Sequence, residues 1–200
     1  MKGDTLIVFA RAPRLGTVKR RLAAGIGALA ALRFYRGQLR RLLREVGHDR
    51  RWQTVLAVTP DRVRWPTGLP MRPQGGGDLG ARMGRALGRH RRAVLVGCDI
   101  PDLGRADIAA AFRALGDARA VFGPAEDGGY WLVGFGPRRP TAPFAGVRWS
   151  TADALADTLA NCRGHRVALL RQLRDVDTAA DLTALRRRQR DRRSPKGGTA

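Results

Sequence analysis

The first apolar stretch of the chain, Thr5-Leu6-Ile7-Val8-Phe9-Ala10, is unbroken and of strand length. A half-exposed strand alternates apolar and polar residues, so a continuous run predicts burial on both faces, as in a parallel sheet. Thr54–Thr59 and Ala93–Cys98 repeat that character, and Ala120–Phe122, Gly128–Phe135 and Val167–Leu170 add shorter extended segments. Helical spacing appears between them. Over Ala28–Val46, residues Leu32, Tyr35, Leu39, Leu42, Leu43 and Val46 form one stripe. Arg33, Arg36, Arg40, Arg41 and Arg44 fall mostly on the other side, the pattern of a solvated helix face. Further helices are predicted over Asp78–Arg89 and Arg105–Leu115. Ser150–Asp153 has capping-box spacing ahead of a helix ending near Cys162, and Thr178–Asp181 is a cap-like start for the last helix. Pro13 and Gly16 exclude a regular element from Arg11 to Lys19, and Asp61–Gly77, rich in Pro and Gly, reads as irregular. Strands alternating with helices predict an α/β chain, a three-layer sandwich around a mostly parallel sheet.

Composition bounds this picture. Two hundred residues make one domain the default and can bury a core without disulfides or metal. No apolar run approaches the roughly 18 residues of a membrane span. The N-terminal run is too short for a secretory signal, and Cys98 and Cys162 have no framework or metal spacing, so a cytoplasmic chain is expected. The net charge of +21 points, taken alone, to nucleic acid or another polyanion. Its distribution changes that. Residues 1–92 hold 21 bases and five acids, residues 93–185 hold ten bases and 11 acids, and residues 186–200 hold seven bases and one acid. The expected organisation is a single domain over residues 1–185, followed by a basic, disordered tail over 186–200.

In parallel sheets ligands bind beyond the carboxyl ends of the strands, and three polar segments fall there. In the first, FARAPRLGTVKRRL, a glycine-bearing turn between strand and helix exposes backbone N–H groups suited to phosphate, with Lys19 as a point charge and Arg20 as a fork. Neither the P-loop nor the Rossmann glycine spacing is present, and an ordinary basic loop is the plainer reading. In the second, Asp99 ends a buried apolar strand, where a carboxylate is costly unless paired. A divalent cation shared with a diphosphate is one partner; capping a turn or helix is the other use. In the third, GPAEDGGYWLVG, Gly128-Gly129 allow close approach of a ligand, and Tyr130 and Trp131 could stack on a sugar or base; a tight turn between two strands accounts for the same residues. Asp175 and Asp177 flank Val176 before the last helix, so alternation puts both carboxylates on one side, to ligate metal or favour the helix N-terminus. The three histidines are scattered, and Cys98 reads as an inert buried thiol.

Together these segments resemble a bacterial glycosyltransferase-like family of the nucleotide-diphospho-sugar transferase superfamily, related to molybdenum-cofactor and deazaflavin-cofactor nucleotidyltransferases. The resemblance runs from about Thr5 to Leu185, on FARAPRLGTVKRRL, QGGGDLGARM, GCDIPDL, GPAEDGGYWLVG, VRWST and DVDTAADL in that order. It implies a glycosyltransferase type A fold and a nucleotide-bound donor. On that basis Ala10, Arg11, Ala12, Gly16, Lys19 and Arg20 hold the nucleotide phosphates, with Lys19 as principal cation, and Gln74, Asp78 and Leu79 lie against the base. Asp99 and Asp177 take the metal-binding positions, for Mg²⁺ or Mn²⁺. Gly128, Gly129, Tyr130 and Trp149 line the acceptor side, with Asp127 orienting or deprotonating an acceptor hydroxyl. The chain departs from the family pattern at Arg11, where Lys is usual, at Leu15 (Pro), at Arg20 (Thr) and at Cys98 (Ser or Thr). Arg20 replaces a small hydroxyl in the phosphate loop with bulk.

The function expected is metal-dependent transfer from a nucleotide-sugar donor to a small acceptor; some members of the family are linked to arsenosugar biosynthesis. A nucleotidyltransferase that takes NTP and releases pyrophosphate shares the fold. A non-catalytic polyanion binder is the rival of another class, motivated by the basic first half and tail. The acidic residues Asp99, Asp127 and Asp177 argue against it, because a binder of polyanions gains nothing from carboxylates in its cleft.

Overall fold

The computed structural model describes residues 3–60, 62 and 67–193. The elements, in chain order, are β1 (Thr5–Arg11), α1 (Arg20–Ile26), α2 (Ala28–Val46), β2 (Gln53–Thr59), β3 (Met71–Pro73), α3 (Leu79–Gly88), β4 (Ala93–Val96), α4 (Arg105–Ala114), β5 (Ala120–Pro124), β6 (Tyr130–Phe135), α5 (Ala154–Asn161), β7 (Val167–Leu169) and α6 (Ala179–Arg193). The seven strands form one sheet in the order β3-β2-β1-β4-β6-β5-β7. Strand β1 pairs in parallel with β2 and β4, β2 with β3, and β5 with β7. Only β6 runs against its neighbours, β4 and β5. The central run of β1 is apolar throughout because both its faces are covered. Leu6, Val8 and Ala10 join the core beneath α2 and α4, while Ile7 and Phe9 face the core beneath α3 and α5. This is the three-layer α/β sandwich expected.

The differences have local causes. Helix α1 has no apolar stripe to predict it: it begins with two arginines, buries only Leu22 and has no side-chain cap. It is held by packing instead, since Leu22 joins Ala31 of α2 and Val176, Leu182 and Leu185 in a small third core. Strand β3 lies in the stretch read as irregular. Its three residues are half-buried or exposed and pair at the edge of β2, the position in a sheet that tolerates Pro73; residues 61 and 63–66 of that stretch lie outside the described residues. Strand β4 ends at Val96 rather than Cys98.

The expected capping box at Ser150–Asp153 is not formed. Ser150 has φ +63°, and Thr151 Oγ1 accepts the Asp153 N–H at 3.2 Å while donating to the Arg148 carbonyl at 2.8 Å, so a turn precedes α5. At the start of α6 the box is complete. Asp181 N–H donates to Thr178 Oγ1 (3.2 Å), and Asp181 Oδ2 accepts the Thr178 N–H (2.9 Å) and the Asp177 N–H (3.2 Å). The helix continues to Arg193, so residues 186–193 are helical and not the beginning of an unstructured tail. Arg188 ties this segment to the body, 3.7 Å from Asp102. Ser194 onward lies outside the described residues.

Burial works against ionisation of Asp181, but hydrogen bonds from Thr178, Arg174 and the Asp177 backbone hold its pKa down to about 2. Asp181→Ala is expected to cost about 1 kcal/mol, the usual worth of a cap, and to lower the melting temperature by roughly 2–4 °C. Because the folded-state pKa is depressed, the difference should be full above about pH 4 and shrink as the pH falls toward 2. Thermal melts of both proteins across that range check it.

Candidate functional site

Parallel strands β1 and β4 end on the same edge of the sheet, and the loops that leave them carry the candidate residues. The β1–α1 loop is fixed from beneath by α2. Tyr35 Oη accepts the Arg11 N–H and donates to the Arg11 carbonyl, both at 2.9 Å, and Arg36 donates to the Pro13 carbonyl at 3.0 Å. Ala12 N–H continues the sheet pairing to Thr59 at 2.8 Å. The loop after β4 is braced by the same helix, where Arg41 donates to the Leu103 carbonyl at 3.0 Å. Arg171 clamps it from the other side, gripping both carboxylate oxygens of Asp107 (2.7 and 2.9 Å) and the Asp102 carbonyl (3.0 Å). The arginine face of α2 is therefore only partly a solvated surface. Arg33, Arg36, Arg40 and Arg44 are exposed, but Arg36, like half-buried Arg41, also holds a site loop.

Lys19 lies at the centre. Its Nζ is 2.9 Å from Asp99 Oδ2 and 2.6 Å from Asp177 Oδ1. The lysine side chain is 6% exposed, against 37% and 38% for the two carboxylates. Burial disfavours its charge, but the two carboxylates outweigh that and raise its pKa above the ordinary lysine value. Lys19 adopts φ +48°, ψ +51° as N-cap of α1, a left-handed conformation that costs a non-glycine residue roughly 1–2 kcal/mol. The ion pairs offset that strain. Arg21 stands at 3.8 Å from the other oxygen of Asp177 and is largely exposed. Asp175, on the same side of the segment as Asp177, has its pKa pushed up to about 6 by burial first and then by Asp177, Asp99 and Asp127, with Lys19 opposing. Val176, between the two, is fully buried in the third core.

A cleft of about 460 Å³ opens over this group, lined by Phe9, Ala10, Arg11, Lys19, Arg20, Tyr35, Gln74, Asp99 and Asp177 among others. Of the residues expected at phosphate, Ala10, Arg11, Lys19 and Arg20 line it; Gly16, with φ +73°, and buried Ala12 shape the loop from outside the lining. Gln74 lines the cleft, but its amide is already engaged. Its Nε2 donates to the Ala57 carbonyl at 2.9 Å and its Oε1 accepts from Arg82 at 3.2 Å, so it braces β2 with its side chain. Asp78 and Leu79 are not in the lining. Asp78 caps α3 by accepting the Ala81 N–H at 2.7 Å, and Arg82, one turn later, reaches the cleft in their place. Arg82 had no distinguishing signal in a chain so rich in arginine. Cys98 is buried, donates to Tyr35 Oη at 3.3 Å, and has its thiol pushed up to about 12 by burial and the neighbouring Asp99.

The residues expected on the acceptor side divide. Asp127 sits in the β5–β6 turn, its Oδ1 accepting the Gly129 N–H at 3.0 Å, and it is close enough to act on Asp175. The glycines serve that turn. Gly128 has φ +84°, and a Cβ there would collide with the backbone of Ala152, so the close approach it permits is to this chain. Tyr130 and Trp149 do not line the cleft. They meet edge-to-face at 6.4 Å in an aromatic cluster with Phe122 and Phe144 under α3, where the Trp149 ring fills the space above Gly80. Aromatic side chains next to a glycine turn are as well suited to core packing as to sugar stacking, and only the packing distinguishes the two.

Among the described residues no three His, Cys, Asp or Glu side chains converge as a metal site. Asp99 and Asp177 nevertheless hold a cation, the Lys19 ammonium, between hard oxygen donors. A pair of carboxylates suits Mg²⁺ or Mn²⁺ when phosphate and water complete the coordination.

The comparisons agree with this architecture. The family model described as "Uncharacterized protein conserved in bacteria (DUF2064)" matches residues 42–151. No curated protein sequence matches the chain. A crystal structure from Desulfovibrio desulfuricans G20, provisionally named a nucleotide-diphospho-sugar transferase, is 30% identical, with 96% of this chain and 89% of that chain covered and a TM-score of 0.89. A 4-diphosphocytidyl-2C-methyl-D-erythritol synthase from Anaerococcus prevotii shares the fold at 12% identity (94% and 99% covered, TM-score 0.61). Rv0371c from Mycobacterium tuberculosis, in its manganese complex, does so at 18% identity (92% and 97% covered, TM-score 0.50). The chain belongs to the DUF2064 family of bacterial proteins, and its fold is that of the nucleotide-diphospho-sugar transferases.

Proposed function

We propose that the protein is a divalent-metal-dependent transferase that takes a nucleotide-sugar donor and glycosylates a small acceptor. The observation that carries this reading is the gathering of Lys19, Asp99 and Asp177 at the carboxyl ends of β1 and β4, under a cleft that also receives Arg11 and Arg20. The resemblance to the D. desulfuricans protein supports the donor class, and the manganese complex of Rv0371c supports a metal of this type.

Each part of the cleft has a chemical use. Arg11, Lys19 and Arg20 supply positive charge for a diphosphate, and the backbone N–H groups of Val18 and Lys19, in the stretch of the loop that lines the cleft, would serve the same ligand. Asp99 and Asp177 would hold Mg²⁺ or Mn²⁺, which when bound neutralises charge on the leaving diphosphate. Asp127, in the β5–β6 turn outside the cleft lining, is the residue we assign to accept the proton of an acceptor hydroxyl. Fixed charges aimed at a leaving group that gains negative charge need no reorganisation during the reaction, and such electrostatic stabilisation is usually the largest catalytic contribution. The single domain over residues 1–185 belongs to the same proposal, with α6 extending past its end.

Three experiments test this. A thermal-shift panel of nucleoside diphosphates and nucleotide sugars, with and without Mn²⁺, should identify one base whose diphosphate stabilises the protein only with metal, by about 2.7 kcal/mol at 100 times its Kd. Silence across the panel would remove the reading. Product analysis then identifies the reaction. Release of nucleoside diphosphate from the sugar donor is expected, whereas release of pyrophosphate from NTP without sugar transfer would make the chain a nucleotidyltransferase. Asp99→Ala and Asp177→Ala should each reduce turnover by about 10²–10³-fold, the scale seen when one electrostatic stabiliser is removed. Steady-state kinetics at saturating donor measure it.

A further inference from the structure

Lys19 has two claims on it. The reading above gives its charge to the donor diphosphate, while the structure places its ammonium between Asp99 and Asp177, at 2.9 and 2.6 Å. A divalent cation bound by the same carboxylate oxygens sits about 2.0–2.6 Å from them. It cannot share that space with an ammonium already in hydrogen-bond contact with both. Resting on the metal-dependent reading, we infer that Lys19 is the resident counter-ion of the Asp99–Asp177 pair, and that a divalent cation enters between the carboxylates only as Lys19 leaves them for the diphosphate.

The side chain that must move is nearly buried, and among the described residues no carboxylate other than these two lies within ion-pair distance of its Nζ. Metal arriving alone must expel an ammonium that has no other carboxylate within ion-pair distance among the described residues. Metal arriving with a diphosphate gives the expelled ammonium an anion in the same cleft, which the loop bearing Lys19 already lines. The exchange makes metal and donor bind with positive coupling, and by linkage each raises the affinity of the other equally. Arg21 does not replace Lys19 in this role, because it stands 3.8 Å from Asp177 with a largely exposed side chain. The ligand-free pocket is thereby protected from two adjacent, uncompensated carboxylates, and metal is not retained without donor.

The test is Mn²⁺ binding without nucleotide, followed by the electron paramagnetic resonance signal of the free ion, on the full chain and its variants. Lys19→Met and Lys19→Gln should each bind Mn²⁺ at least about tenfold tighter than the wild type, within the usual 5–150-fold span of coupling between sites. Added Mn²⁺ should raise their melting temperatures more than that of the wild type. Gln retains a hydrogen-bond donor for the carboxylates, so it reports even where Met unfolds. Unchanged or weaker Mn²⁺ binding in the folded Lys19 variants overturns the counter-ion role. Should that happen while Asp99→Asn still abolishes metal-supported nucleotide binding, the proposed function stands without it. The double variant Lys19→Met/Asp99→Asn should lose the tight Mn²⁺ site; retention there removes the carboxylate metal site itself.

Discussion

The contact between the Lys19 ammonium and the carboxylates of Asp99 and Asp177 joins residues 80 and 158 positions apart in the chain. It draws together the loop after β1, the end of β4 and the segment that enters α6. On an open surface such pairs contribute little, because water and salt screen them and two long side chains must be ordered. Here the lysine is almost wholly withdrawn from water, so the attraction is stronger and a misplaced partner is costly. Much of the surrounding structure can be understood as what keeps three separate backbone segments in register with that one ammonium.

Helix α2 does most of this. Its apolar stripe packs on the sheet through Leu32, Leu39, Leu42 and Val46, and three of its polar groups reach upward to the loops. Tyr35 fixes the backbone at Arg11, Arg36 holds Pro13, and Arg41 holds the chain just beyond Asp99. The third partner is positioned from α6, where the Asp181 carboxylate caps the helix and accepts the Asp177 N–H. The helix cap and the placement of Asp177 are thus one interaction. Arg171 and Arg188 converge on the Asp102–Asp107 region from the C-terminal part of the chain.

The charge of +21 looks different in this light. Part of it is structural, spent on carbonyls and carboxylates of the site loops by Arg36, Arg41, Arg85 and Arg171. Another part, Arg11, Arg20 and Arg82, lines the cleft with Lys19. The basic segment after Leu185 is helical as far as Arg193 and touches the body at Asp102. An arginine census could not separate these uses, since a guanidinium bracing a loop and one awaiting phosphate are the same residue type.

Six of the seven described strands and five of the six described helices are legible along the chain. Unbroken apolar runs mark buried strands, a helical stripe marks α2 over its observed span, and Thr178–Asp181 carries the cap of α6. The sequence also marked Asp99, because a carboxylate at the end of a buried strand needs a partner, Lys19 as a point charge in the glycine-bearing loop, and Asp177 as one of two carboxylates ahead of the last helix. It did not reveal α1 or β3, whose own residues bury too little to leave a pattern. Nor could it decide among side chains with two good uses. Whether Tyr130 and Trp149 stack on a ligand or on each other, whether Gln74 faces a base or braces β2, and whether Lys19 waits for phosphate or closes on two carboxylates all depend on which groups the fold brings within hydrogen-bond or packing distance. Periodicity is a local property of the chain and can be read along it. Pairing between residues 158 positions apart is settled only when the sheet and its covering helices have packed.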